Sequence, residues 1–118
     1  VNHPIHLHGH DFWVIGQDAS LFDINTVTFN FANPPRRDVA ILPANGYLAI
    51  AFKLDNPGTW LMHCHIAWHA SEGLALQFVE NESQVAPLIT AATEFEEVCA
   101  AWDAYVPVES YPPDDSGI

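Results

Sequence analysis

The chain has 118 residues, 49% of them hydrophobic, which is enough for one domain with a core and too apolar for a disordered segment. Three Lys and Arg stand against fifteen Asp and Glu, and the formal charge of −12 disfavours nucleic acid and anionic membrane as partners. No apolar run reaches the roughly eighteen residues that a membrane-crossing helix needs.

The first motif is Asn2-His3-Pro4-Ile5-His6-Leu7-His8-Gly9-His10, which holds four of the seven histidines. If it is extended, His6 and His8 share a face, while His3, beyond Pro4, is free to aim elsewhere. His10 has no partner in this spacing and reads as a surface or hydrogen-bonded core residue. Asp11 to Gln17 carries bulky apolar side chains on both faces and predicts a buried strand. Gln17 to Asn25 is polar and predicts a loop. Thr26 to Phe31 alternates and predicts a strand ended by Asn33-Pro34-Pro35. Arg36-Arg37 reads either as a salt-bridged clamp across a domain interface or as a solvated turn.

Asp38 to Leu42 predicts another strand, and Pro43-Ala44-Asn45-Gly46 a turn in which Gly46 supplies permissive backbone. Tyr47 to Leu54 is rich in β-formers and closes at Asp55-Asn56-Pro57-Gly58, which delivers the chain into Thr59 to His65. In an extended strand, His63 and His65 point one way and Cys64 the other. Ile66 to Ser71 predicts a helical turn that brings His69 back beside Cys64, and Leu74 to Glu80 a last strand. Acidic residues gather after Glu80, away from the histidines, and read as a soluble surface. Thr93-Glu94-Phe95-Glu96 has the form of a capping box, and Phe95, Val98, Cys99, Trp102 and Tyr105 recur at helical spacing. Pro107 ends that helix, and Tyr111-Pro112-Pro113 extends the tail.

All seven histidines fall in two windows. The arithmetic pairs His3 with Cys64 and His69, and His6 and His8 with His63 and His65. A thiolate with imidazole is the donor set associated with blue copper. Zinc is the chemical rival, since it also takes Cys and His. Zinc sites, however, gather their ligands into one set, whereas here they alternate across one strand. Met62 reads as core packing. Cys99 reads as an apolar helix filler or as half of a bond to a partner outside the chain. Asn81-Glu82-Ser83 is a glycosylation sequon, consistent with secretion to an extracellular setting.

The motifs His-Pro-x-His-x-His-Gly-His and His-Cys-His-x-x-x-His closely resemble the two copper signatures at the C-terminal end of multicopper oxidases. With Ile66-Ala67-Trp68-His69, Leu42-Pro43-Ala44-Asn45-Gly46-Tyr47 and the terminal Asp115-Ser116-Gly117-Ile118, the chain is most similar to fungal laccases of the ascomycete type. The resemblance implies an all-β, cupredoxin-like Greek-key sandwich, of which residues 1–80 are the C-terminal part and residues 81–118 a helix and tail. In that family several strands and two further domains precede the first histidine motif. The resemblance therefore implies a C-terminal piece that works with the N-terminal remainder as a companion chain.

The same resemblance implies the ligand sets. His3, Cys64 and His69 match the type 1 copper, His6 the type 2 copper, and His8, His63 and His65 the coupled type 3 pair. Leu74 falls at the axial position of the type 1 site, cannot coordinate, and so raises its reduction potential. Cys99 matches a disulfide to the first domain. Asp115, Ser116, Gly117 and Ile118 match a tail that plugs the solvent channel. The implied reaction oxidises a phenolic donor at the exposed edge of His69 and passes electrons through Cys64 to His63 and His65, where dioxygen becomes water. The second histidine set that the trinuclear centre needs is not in this sequence, so the chain alone is expected not to reduce dioxygen. The alternative is a non-catalytic blue-copper electron-transfer or copper-binding module.

Overall fold

The structure, a computed structural model, describes residues 1–105. Among the described residues there are seven strands: β1 (His3–Leu7), β2 (Phe12–Asp18), β3 (Arg36–Arg37), β4 (Val39–Leu42), β5 (Tyr47–Ala51), β6 (Gly58–Cys64) and β7 (Ala75–Glu80). Helix α1 (Ala67–Ser71) lies between β6 and β7, and α2 (Glu82–Val85), a 3-10 turn at Ala86–Leu88 and α3 (Ala92–Tyr105) follow. The strands make two antiparallel sheets, β4-β1-β6-β7 and β3-β2-β5, and neither closes into a barrel. Leu7 and Cys64 from the first sheet and Phe12 from the second are the fully buried apolar side chains among the described residues.

Most of the expected strands form within a residue or two of their expected ends. Thr26 to Phe31 does not. The Asp23 carbonyl accepts N–H bonds from Thr26 and Val27, which turns the chain there, and β2 already has a partner on each side, β3 and β5. What remains of strand pairing is one bond, from the Asn30 N–H to the Ile15 carbonyl, at the point where β2 bulges between Val14 and Gly16. Arg36 and Arg37 pair with Trp13 and Phe12 of β2. Arg36 also reaches Asp11 at 3.4 Å and lies over the Trp13 ring, so its charge is engaged within the chain.

In the turn before β5 it is Asn45, at φ 57°, that takes the left-handed conformation, a role expected of Gly46. Gly46 is needed for another reason: a Cβ there would collide with the backbone carbonyl of Asp18. Because backbone yields less than a flexible side chain, Gly46→Ala is expected to destabilise by about 1–3 kcal/mol. A shift of the denaturant midpoint measures it, and an unchanged midpoint would contradict the packing described.

Helix α3 begins at Ala92, so Thr93 sits inside its first turn rather than ahead of it as a cap. Phe95, Val98, Trp102 and Tyr105 are exposed, as is Cys99. Helical spacing marks an apolar stripe but not what covers it. The expectations for Pro107, for the extended tail and for Asp115, Ser116, Gly117 and Ile118 fall outside the described residues.

Candidate metal centre

Strand alternation sorts the ligating side chains. In β1 and β6, Ile5 faces Cys64 and His6 faces His63 across the antiparallel pair. Directly opposed residues share a face, so His3, two residues from Ile5, lies on the Cys64 side. His6 and His63 lie on the other. The ladder continues past both strand ends: the His65 N–H donates to the Pro4 carbonyl at 2.7 Å and the His8 N–H to the Leu61 carbonyl at 2.8 Å. One pair of strands thus builds two clusters, back to back.

Helix α1 supplies the third member of the first cluster. Its end is a Schellman motif: the Gly73 N–H donates to Ala70, and the Leu74 N–H to His69. Gly73 takes φ 103°, which any Cβ would resist. Leu74 is then fixed to both neighbours, because its carbonyl accepts the Cys64 N–H at 3.0 Å. His69 is folded back so that its Nδ1 lies 3.5 Å from Cys64 Sγ and 3.1 Å from His3 Nδ1, with His3 Nδ1 3.7 Å from the sulfur.

The three donor atoms lie within 4.8 Å of one another, and no other such group of three occurs among the described residues. Burial and the His69 ring beside it lower the pKa of His3, which keeps the ring neutral and its lone pair available. Cys64 is 0% and His69 3% exposed. The edge of His69 expected to be exposed is reduced to that 3%, because α1 turns the ring toward Cys64 and leaves the neighbouring Trp68, 60% exposed, as the outer surface. Leu74 and Met62 line a small cavity beside Cys64 together with Ile5. The sulfur and two imidazole nitrogens suit a metal ion soft enough to accept thiolate, and copper fits that description.

The second cluster comprises His6, His8, His63 and His65. The His63 and His65 rings stack at 25°, their centroids 5.7 Å apart, and the His6 ring meets each of them at 5.8 Å. His6 Nδ1–H donates to the Asp38 carbonyl and His63 Nδ1–H to the Cys64 carbonyl, each at 2.8 Å, which leaves Nε2 of both rings as the nitrogen able to ligate. His63 Nε2 then stands 3.1 Å from His8 Nε2. Partial loss of hydration against the neighbouring side chains, followed by the rings of His6, His63 and His65, lowers the pKa of His8, which is otherwise exposed. No three of these nitrogens gather as the first cluster's donors do. The face offers pairs of ligands rather than a closed set.

Spacing arguments left His10 without a partner, and it proves to be half of a buried hydrogen-bonded pair with Glu80. Its Nε2 lies 2.9 Å from Glu80 Oε2, with both side chains at or below 4% exposed. A Glu closing a strand that reads as apolar was the available signal. Asn81 is exposed at φ 48°, and Cys99 has no partner among the described residues.

Comparison with known proteins bears on the family and the fold. The chain is 63% identical to laccase-2 of Botryotinia fuckeliana over 118 residues, which is 98% of this chain and 20% of that protein. It is 48% identical to the laccase of Neurospora crassa, covering 98% of this chain and 21% of the relative. The crystal structure of laccase from Botrytis aclada superposes with a TM-score of 0.77 at 61% identity, covering all of this chain and 22% of that one. Fet3p, a multicopper oxidase that functions in iron import, superposes with a TM-score of 0.63 at 38% identity, over 68% of this chain and 17% of that one. The chain spans about a fifth of the length of the relatives it matches. Its antiparallel sheets are those of the cupredoxin-like laccase structures. The sequence profile described as multicopper oxidase matches residues 1–84, from the first histidine motif through the last strand, and the chain belongs to that family.

Proposed function

We propose that this chain is the C-terminal part of a secreted laccase, with His3, Cys64 and His69 as type 1 copper ligands, His6 as a type 2 ligand, and His8, His63 and His65 as type 3 ligands. One observation carries the reading. Cys64, 3.5 Å from His69 Nδ1, is covalently flanked by His63 and His65 on the opposite face, so a single tripeptide joins the two donor sets. Bound copper supplies one-electron redox chemistry, taking electrons from a phenolic donor and delivering four of them to dioxygen, which becomes water.

The protein's own part is arrangement. Burial of Cys64 excludes water from the thiolate, and the His63 Nδ1–H bond to the Cys64 carbonyl adds a hydrogen-bonded contact to the covalent path. Exposed His8 and His65 present their rings to a companion surface, and the N-terminal remainder of the enzyme would bring the missing histidines and the substrate pocket there. The apolar side chains exposed on α3, with Leu76 and Val79 of β7, suit coverage by the same remainder. In this reading Cys99 is bonded to that remainder, Asn81 carries a glycan, residues 1–80 complete the third cupredoxin-like domain, and the terminal residues up to Ile118 close a channel.

The test is an electron paramagnetic resonance spectrum of the full-length protein, integrated against total copper. A narrow-hyperfine type 1 signal plus a type 2 signal, together about half the copper, is the expected result, the coupled pair being silent. A type 1 signal accounting for all the copper would favour the second reading, a non-catalytic electron-transfer module. That alternative draws on the single closed three-donor group among the described residues. Leu74→Met is expected to lower the reduction potential of the type 1 site, because a thioether at that position stabilises the oxidised ion. Redox titration of the blue band reads this, and a raised potential would remove Leu74 from the axial position.

A further inference from the structure

We infer that His10, Glu80 and Asn56 form a clamp that positions His8, making them positioning residues for the second histidine cluster; this rests on the laccase reading above. The observation is where the buried His10–Glu80 pair leads. His10 Nδ1 lies 3.1 Å from the His8 carbonyl while Nε2 lies 2.9 Å from Glu80 Oε2, so both ring nitrogens are engaged. The other oxygen, Glu80 Oε1, accepts the Asn56 N–H at 2.6 Å. Asn56 Nδ2–H donates to the Gly9 carbonyl at 2.9 Å, and the Asn56 carbonyl accepts Trp60 Nε1–H at 2.7 Å. Two successive carbonyls, those of His8 and Gly9, are therefore held by one network anchored at the end of β7.

His8 needs such support. It lies one residue past the end of β1, its ring is exposed, and its Nε2 faces His63 Nε2 at 3.1 Å. The ladder fixes its N–H on Leu61, and His10 fixes its carbonyl. Between those two bonds the backbone has little freedom to rotate the ring out of register with His63. The Phe52 and Trp60 rings flank His10, and the burial of the His10 and Glu80 side chains strengthens the bond between them, while the bonds to the His8 and Gly9 carbonyls lie at the surface. A pair serving stability alone could be replaced by apolar side chains at little cost. This one ends on the backbone of a ligating residue.

Two substitutions of His10 in the full-length laccase separate the roles. His10→Gln keeps a donor in the place of Nε2, toward Glu80, and loses the bond to the His8 carbonyl. His10→Asn keeps the donor in the place of Nδ1, toward His8, and leaves Glu80 without its partner. Asn56→Ala deletes only the side-chain bond to Gly9 and carries the test should neither His10 variant fold. The expected result is that His10→Gln lowers copper affinity at the trinuclear centre by about tenfold to hundredfold. The blue type 1 band and its potential stay as in the wild type, and Asn56→Ala loses less. His10→Asn retains the copper although its melting temperature falls further. Copper loss that follows melting temperature across the variants, or an undiminished trinuclear signal in both His10→Gln and Asn56→Ala, would overturn the clamp. A wild-type protein that holds only the blue copper would overturn the laccase reading itself, and is seen before any variant is made.

Discussion

Cys64→Ser in the full-length protein is expected to abolish the blue charge-transfer band, remove one copper per polypeptide and lower turnover of a phenolic donor by more than about a hundredfold. That is beyond what removal of an outer partner of a metal ligand costs. The fold should survive. Serine is smaller by little, the backbone bond from residue 64 to the Leu74 carbonyl is untouched, and the buried hydroxyl would find His3 and His69 nitrogens where the sulfur now lies 3.7 and 3.5 Å away. What disappears is the soft ligand and the route it makes between clusters. Copper content, visible absorption and steady-state turnover measured together decide the matter. A blue band that persists in the serine variant would remove Cys64 from the type 1 site, and turnover that persists without the band would break the proposed route.

Which parts of this were legible beforehand follows from which parts are local. The two clusters could be read because strand alternation is a local rule: His63, Cys64 and His65 have no choice of face once β6 is extended. The return of His69 was legible from the short segment Ile66 to Ser71, although the part played by Gly73 was not. The His10–Glu80 pair was not, since it joins residues 70 apart and neither carries a spacing signal. The failed strand at Thr26 to Phe31 has a related origin: alternation says that a segment can pair, but not that Asp23 turns it at Thr26 and Val27 and leaves one bond, from Asn30 to Ile15, to β2. How little of His69 is exposed was not legible, because spacing says that α1 returns the ring to Cys64 but not how deep it then sits beside Trp68. The apolar stripe on α3 was legible as a stripe, but its cover is a matter of other residues.

Gly9→Ala carries the largest expected cost in stability, because two separate effects meet at that residue. Gly9 takes φ 71°, and an L side chain in the left-handed region costs about 1–2 kcal/mol. A Cβ there would also lie 2.5 Å from two atoms of the Trp60 ring, and overpacking of that kind costs about 1–3 kcal/mol. Their sum is about 2–5 kcal/mol. The Trp60 ring cannot move freely to relieve the clash, since its Nε1–H is tied to the Asn56 carbonyl at 2.7 Å. Gly58→Ala isolates the second effect: its Cβ would meet the same ring at 2.7 Å, but Gly58 has no positive φ. Calorimetric unfolding of the two variants should therefore place Gly9→Ala below Gly58→Ala by about the 1–2 kcal/mol of the backbone term. Two variants equally destabilised would mean that the turn relaxes out of the left-handed region, and a Gly9→Ala protein as stable as the wild type would mean that Trp60 is not packed against this turn at all. The order also bears on the metal centre. If the turn yields, the His8 carbonyl moves with it, so Gly9→Ala should lose trinuclear copper before type 1 copper, while Gly58→Ala should keep both.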